Sequence, residues 1–439
     1  MAEQSRFPYF EVQFDKQGKL VDKAQVDAAA KEVDRLGITD LIVFSHGWNN
    51  DMDEARGHGK RFAAAMRDAT DRHLADRKTA ILAVLWPSKK FADAQLIPGG
   101  AAAGQAADQA ALLAQLDALK GAFTARGADA RLKEARKLVP RLASPKVQAE
   151  FLELLRAAAK QPKAAKPDDT PEEGTEPIFD ITAEEAFKNL DRPITARRRS
   201  TPGAGGAAGA AGAGGAAFNL GDLGRGVFSA GRRLLNLTTY YQMKERAGLV
   251  GRVGLHPVLQ RLRRDRPSMR LHLVGHSFGA RLVTAAASAA PSDGDATAST
   301  LILLQGAFSH HGFAKDYEPG KHGLFRQVVS PGRVNGPILI SHTDNDTAVG
   351  INYAIVSRLA GQQAAGVGDA NDLYGGIGRN GAVKTPEATF GTLGPTKTKY
   401  SFKRGTVYNL QADAFIADHG DVHSPEVGNA LAQAIATTG

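Results

Sequence analysis

A chain of 439 residues is long enough to bury a large core and still carry an inserted segment. It contains no cysteine, which excludes disulfide staples, thiolate metal sites, iron–sulfur clusters and a cysteine nucleophile. Its 55 Lys and Arg exceed its 46 Asp and Glu, but the densest basic patches, Arg197 to Arg199 and Arg261 to Arg270, are not interleaved with base-stacking aromatics, so nucleic acid is not an expected partner.

In chain order, Phe10, Val12 and Phe14 alternate on one face and the chain turns at Asp15 to Gly18, which predicts a strand entering a hairpin. Val26, Ala29, Ala30 and Val33 recur at helical spacing over residues 22 to 36, closed by Gly37. The continuous apolar run Leu41 to Phe44 suits a strand buried on both faces. A helix is expected from Asp53 to Leu74, then a second apolar strand from Ala80 to Trp86, stopped by Pro87. Strand, helix, strand at this spacing implies a right-handed parallel crossover.

From residue 88 to 239 the pattern becomes helical, with Ala-rich stretches near 101–122, 128–138 and 145–160 and no convincing strand. This segment reads as an insertion. Its tracts 161–176, polar and acidic, and 201–217, nearly all Gly and Ala, are expected to be flexible. Alternation resumes afterwards: helices at 241–249, 258–263, 278–290, 353–359 and 425–436, strands at 271–274, 301–304, 338–340 and 406–410. Residues 8–87 and 240–437 therefore read as one discontinuous α/β sheet domain. No internal repeat is visible, nor does any apolar stretch approach the roughly 20 residues of a membrane span. Met1 to Arg6 is polar, with no basic region leading into an apolar run, so the expected setting is the cytoplasm.

Gly275-His276-Ser277-Phe278-Gly279 matches G-x-S-x-G in a telling setting, because an apolar strand precedes it and a helix begins directly after it. Glycine at 275 and 279 lets strand and helix backbones pass closely in such a turn, so that Ser277 projects outward over a helix N-terminus. A serine at its ordinary pKa needs a base, and the base needs an orienting acid. Both follow in order. The strand from Pro337 leaves into a polar loop offering Asp344 and Asp346, and a loop before the last helix offers His419 and His423. The strand Leu41 to Phe44 ends in Ser45-His46-Gly47-Trp48, where the backbone N–H of Trp48, with that of Phe278, is suited to hold a developing oxyanion. For the side chains of His46, Asn50 and Asp51 the expectation is structural: loop buttressing and helix capping.

These features resemble the α/β-hydrolase superfamily, and within it the serine esterases and lipases, over residues 8–87 and 240–437 but not over the insertion. The resemblance implies a mostly parallel, doubly wound eight-stranded sheet with the 88–239 insertion as a helical cap, and no metal or organic cofactor. In many members the acid strand reads P-h-L-h-x-H-G-x-x-D-x-x-V; aligned to Pro337 through Val349 it places the acid on Asp346, with Thr343 where glycine is common. The base usually stands several residues before a Pro-Glu pair, here Pro425-Glu426, which favours His419 over His423. His46-Gly47-Trp48 is similar to the family's oxyanion segment. Implied is ester hydrolysis through Ser277, His419 and Asp346 by way of an acyl-enzyme, on a small-molecule ester or lipid. The alternatives are a lipase or phospholipase acting at a membrane surface, and a non-catalytic binding protein on the same fold.

Two further patterns are set aside. Gly376-Ile377-Gly378-Arg379-Asn380-Gly381 fits G-x-G-x-x-G, but no strand precedes it, which argues against a dinucleotide site. His310-His311 and the His419, His423 spacing lack the glutamate that H-E-x-x-H requires, so no metal is expected.

Overall fold

The computed structural model describes residues 7–88, 105–159, 177–191, 226–289, 298–350 and 373–439. The chain divides into two units. The described residues of the first are 7–88, 244–289, 298–346 and 376–439; those of the second are 105–159, 177–191, 226–243, 347–350 and 373–375.

The first unit is built on eight strands: β1 (Tyr9–Gln13), β2 (Asp40–Ser45), β3 (Thr79–Leu85), β4 (Arg270–His276), β5 (Thr300–Leu304), β6 (Ile338–His342), β7 (Ala388–Thr392) and β8 (Val407–Gln411). They form one sheet in the order β1-β3-β2-β4-β5-β6-β8-β7, every pair parallel. Parallel neighbours need crossovers that cover the faces, which is why β2, β3 and β5 are buried along their whole length and read as apolar runs. Ile42, Phe44, Val274, Ile302, Leu304 and Leu339 join one core with the helices Met52–His73 and Pro425–Ala436. Residues of the opposite parity, including Leu271, Leu273, Leu301 and Leu303, are buried on the other face.

Three sequence expectations change. The hairpin after β1 reduces to one antiparallel bridge, Phe14 with Leu20; β1 itself pairs with β3 in parallel. Strand β7, with the sequence Ala-Thr-Phe-Gly-Thr, is not read from the sequence at all. The helix expected to start at Tyr241 begins at Val227 and runs to Leu249. The expected helix 353–359 and the tracts 161–176 and 201–217 lie outside the described residues.

The second unit is helical: Gln105–Ala118, Ala128–Leu138, Pro145–Ala159, Pro177–Asp180, Ala183–Leu190 and the start of Val227–Leu249. Leu112, Leu132, Phe151, Leu155, Phe187 and Leu234 are buried in it. Asp108 accepts from Ser229 Oγ at 3.1 Å and pairs with the buried Arg232 at 3.2 Å. Gly231 admits Leu112 and Leu142, each 3.1 Å from where a Cβ would stand. Among the described residues no helix is long and apolar enough to cross a membrane.

Candidate active site

The register of the sheet brings the chemistry to one edge. Ser45 lies beside Gly275, His276 beside Leu304, Leu304 beside Ser341, and His342 beside Gln411. The segments leaving β2, β4, β5, β6 and β8 therefore emerge together at the carboxyl ends of the strands, where open parallel sheets characteristically bind ligands.

Ser277 links β4 to the helix Phe278–Ser288 with φ 57° and ψ −124°, a region that side chains other than glycine rarely occupy. Hydrogen bonds over-determine this conformation: the Ser277 amide donates to the Leu304 carbonyl at 3.0 Å, and its carbonyl accepts from Ala280 at 3.0 Å and Ala307 at 3.1 Å. The flanking glycines are required by close approach. A Cβ on Gly275 would meet the backbone of Gly279, and one on Gly279 would meet the carbonyls of Ser45 and His46.

Ser277 Oγ is 2.8 Å from His419 Nε2, and His419 Nδ1 is 2.8 Å from Asp346 Oδ2. A carboxylate accepts, so Nδ1 carries the proton and Nε2 accepts from the serine hydroxyl. Asp346 is fully buried and the His419 side chain is 15% exposed. Burial is the largest influence on His419 and lowers its pKa, yet the charge of Asp346 and the hydrogen bond to it prevail and raise it above the ordinary imidazole value.

The two runner-up residues stand apart from this chain of bonds. The Asp344 amide donates to Asp413 Oδ1 at 3.0 Å, and its carbonyl accepts from Arg379 at 2.8 Å. The His423 ring lies 5.7 Å from that of His58. Burial lowers the pKa of His423 to about 4 and that of His58 to about 3.

His276, the residue between Gly275 and Ser277, donates from Nε2 to the backbone carbonyl of His419 at 2.7 Å. Burial, then the charge of His419, hold its pKa well below the ordinary value, so it stays neutral beside His419.

The loop after β2 approaches the serine from the other side: a Cβ on Gly47 would stand 2.8 Å from Ser277 Cβ, and the Trp48 ring lies 5.7 Å from that of Phe278. His46 buttresses this loop, accepting at Nε2 from the Trp86 amide at 3.3 Å and donating from Nδ1 to the Gly47 carbonyl at 2.9 Å. Burial lowers its pKa to about 4, which keeps it neutral. Asn50 Nδ2 donates to the carbonyls of Gly47 and Trp48, at 3.2 and 3.0 Å. Asp51 caps the helix Met52–His73 in a reciprocal box with Glu54.

Sequence reasoning missed what fixes the acid loop. Asp413 Oδ1 accepts from Thr343 Oγ1 at 2.6 Å, which supplies a role for threonine where the resemblance favours glycine. Asn345 Nδ2 ties this loop to the histidine loop through the carbonyls of Asp413 and Ile416, at 3.0 and 2.9 Å. The Gly376 to Gly381 segment is the third support. Arg379 reaches the carbonyls of Asp344 and Asp346, and Gly378 accepts from the Thr343 amide at 3.0 Å.

No group of three or more His, Asp or Glu among the described residues is arranged to hold a metal ion. No family model matches the chain, and comparison with curated proteins and with solved structures likewise finds no similar protein.

Proposed function

We propose that this protein is a serine hydrolase of carboxylic esters built on a core of the α/β-hydrolase type. The reading rests on one observation: a hydroxyl, an imidazole and a buried carboxylate, carried by three different loops at the carboxyl edge of the sheet, joined by two hydrogen bonds of 2.8 Å.

In this reading Ser277 Oγ attacks the ester carbonyl carbon while its proton passes to His419 Nε2. Asp346 holds the Nδ1–H tautomer and stabilises the imidazolium that forms. The tetrahedral intermediate collapses as His419 returns the proton to the departing alcohol, leaving an acyl group on Ser277. A water molecule activated by the same imidazole then releases the carboxylic acid. The backbone N–H of Phe278, in the first turn of its helix, and that of Trp48 are the proposed oxyanion donors, each worth about 3 kcal/mol in comparable sites. Gly47 is what lets the Trp48 segment come this close to Ser277.

The insertion 88–239 follows β3 at the carboxyl edge, and we assign it as a cap that selects among acyl or alcohol groups. The substrate is then a small-molecule ester or a lipid, no cofactor takes part, and the cytoplasmic setting expected from the sequence belongs to the same proposal. An acyl-chain-length series of ester substrates tests it. Turnover that depends on Ser277 supports a catalyst, whereas binding without turnover would favour a scaffold. Substitutions within the insertion are expected to alter the chain-length preference without abolishing reaction of Ser277 with a small fluorophosphonate.

A further inference from the structure

Gln305 directly follows β5 and is fully buried, with a positive φ of 46°. A buried primary amide must find partners for two donors and a carbonyl oxygen. With its nitrogen facing Gly378 and Asp346, every one is satisfied: Nε2 donates to the Gly378 carbonyl at 2.7 Å and to Asp346 Oδ2 at 3.1 Å, and Oε1 accepts from Ser341 Oγ at 3.2 Å. Its backbone amide donates to the same Ser341 hydroxyl at 3.2 Å. The glycine-rich segment makes this possible, since a Cβ on Gly378 would strike the Gln305 backbone. Asp346 Oδ2 thus accepts from two directions, from His419 Nδ1 and from the Gln305 amide.

We propose that Gln305 is a positioning residue that aims the Asp346 carboxylate at His419 and moderates its pull on the imidazole proton. The proposal rests on the Ser277–His419–Asp346 reading of the site. Its physical basis is geometric: a carboxylate on a loop rotates about its side-chain bonds, and a second donor on the oxygen that meets His419 fixes that rotation. A donor there also offsets part of the negative charge that favours the imidazolium. The charged and titratable groups around this point are Asp346 and Asp344 on the loop after β6, His342 at the end of β6, Arg379 on the segment 377–380, Asp413, Asp418 and His419 on the segment after β8, and His276 at the end of β4.

The test measures kcat/KM against pH for the whole protein and for Gln305→Met and Gln305→Glu. Methionine keeps the volume and removes both donors; kcat/KM is expected to fall roughly 10- to 100-fold, as for other hydrogen bonds to a charged group, with KM little changed. The acidic limb, where His419 becomes protonated and ceases to act as a base, is expected to move to higher pH. The glutamate variant sets a second buried carboxyl against Asp346, where one of the two keeps its proton; that O–H restores a donor to the Asp346 carboxylate, so the limb is expected to stay nearer that of the unaltered protein. Ser341→Ala, a milder change that frees the Gln305 carbonyl, is expected to shift the limb in the same direction as methionine does but by less, and reports on the idea even if both Gln305 variants fold poorly. A merely structural glutamine would lower activity without moving the limb, and unshifted limbs in Gln305→Met and Ser341→Ala would overturn the proposal. A wild-type protein that does not label at Ser277 with fluorophosphonate would overturn the underlying reading instead, and this proposal with it.

Discussion

The Nε2–H of His276 donates to the backbone carbonyl of His419 over 2.7 Å, so the residue before Ser277 holds the main chain of the residue whose own Nε2 meets the Ser277 hydroxyl. His276→Leu leaves that carbonyl without this donor and is expected to lower kcat about tenfold with KM little changed. His276→Gln retains an N–H donor and is expected to lose less. Steady-state kinetics on a short-chain ester check this; equal losses in the two variants would argue that ring packing, not the donated proton, is what matters.

Asp346→Asn and His419→Ala are expected to lower kcat by about three to four orders of magnitude, as wrong tautomer and missing base do in comparable sites. Asp344→Asn and His423→Ala are expected to be mild. Neither the Asp344 nor the His423 side chain enters the 2.8 Å chain of bonds, and only the backbone of Asp344 is held by Asp413 and Arg379. The two pairs are close in sequence, so single-variant kinetics discriminate sharply.

Burial holds His46, His58 and His423 neutral, with pKa values of about 4, 3 and 4. Below the unfolded value near 6.5 the unfolded chain binds protons that the folded one does not. Stability therefore falls with pH through that window, by about 1.4 kcal/mol per pH unit for each such histidine. His419, whose folded pKa is raised, acts in the opposite sense: its contribution is full below the unfolded value and is lost as pH rises through the folded one. Urea unfolding between pH 7 and 5 is expected to show a net loss toward acid, and His58→Gln to flatten the slope. An unchanged slope in that variant would contradict the assignment.

At the opposite end of the strands Asp40 is fully buried and accepts from Arg270 at 2.8 Å through each oxygen, from Arg77 at 3.1 Å, from His272 at 3.0 Å and from Thr39 at 2.6 Å. Burial alone would raise its pKa, but the Arg270, His272 and Thr39 hydrogen bonds lower it well below the carboxylate range. Its contribution to stability is therefore present above the unfolded value near 4 and lost as pH falls toward the folded one. Asp40→Asn strips the charge from under two arginines and is expected to cost about 3 kcal/mol of stability. Because Asp40 opens β2 and the site lies at the other end, kcat is expected to hold.

What the sequence made legible was whatever burial writes into composition. The runs Leu41 to Phe44 and Ala80 to Leu85 are strands covered on both faces, and continuous apolarity is the direct mark of that environment. Strand β7 escaped because it is an edge strand: its residues past Ala388 are exposed, so Ala-Thr-Phe-Gly-Thr carries no apolar run. The order and spacing of Ser277, Asp346 and His419 were readable because local signals fix each one, namely a strand-to-helix turn, a strand end and the start of the last helix. Gln305, Arg379, Asn345 and Asp413 were not, since each acts by reaching a loop far away in sequence and no local pattern encodes that reach. The Gly376 to Gly381 pattern was visible while its role was not: its Gly378 packs closely on the backbone of Gln305 and Gly306, and its Gly381 on the Asn409 side chain.

Whether Ser277 is an activated nucleophile is decided by reaction of the purified protein with a fluorophosphonate, followed by mass spectrometry of the labelled peptide and by ester turnover in Ser277→Ala. A single adduct on Ser277 is expected, dependent on His419, with hydrolysis in the alanine variant below about one percent of wild type. An adduct on another residue, or hydrolysis undiminished in Ser277→Ala, would contradict a nucleophilic Ser277.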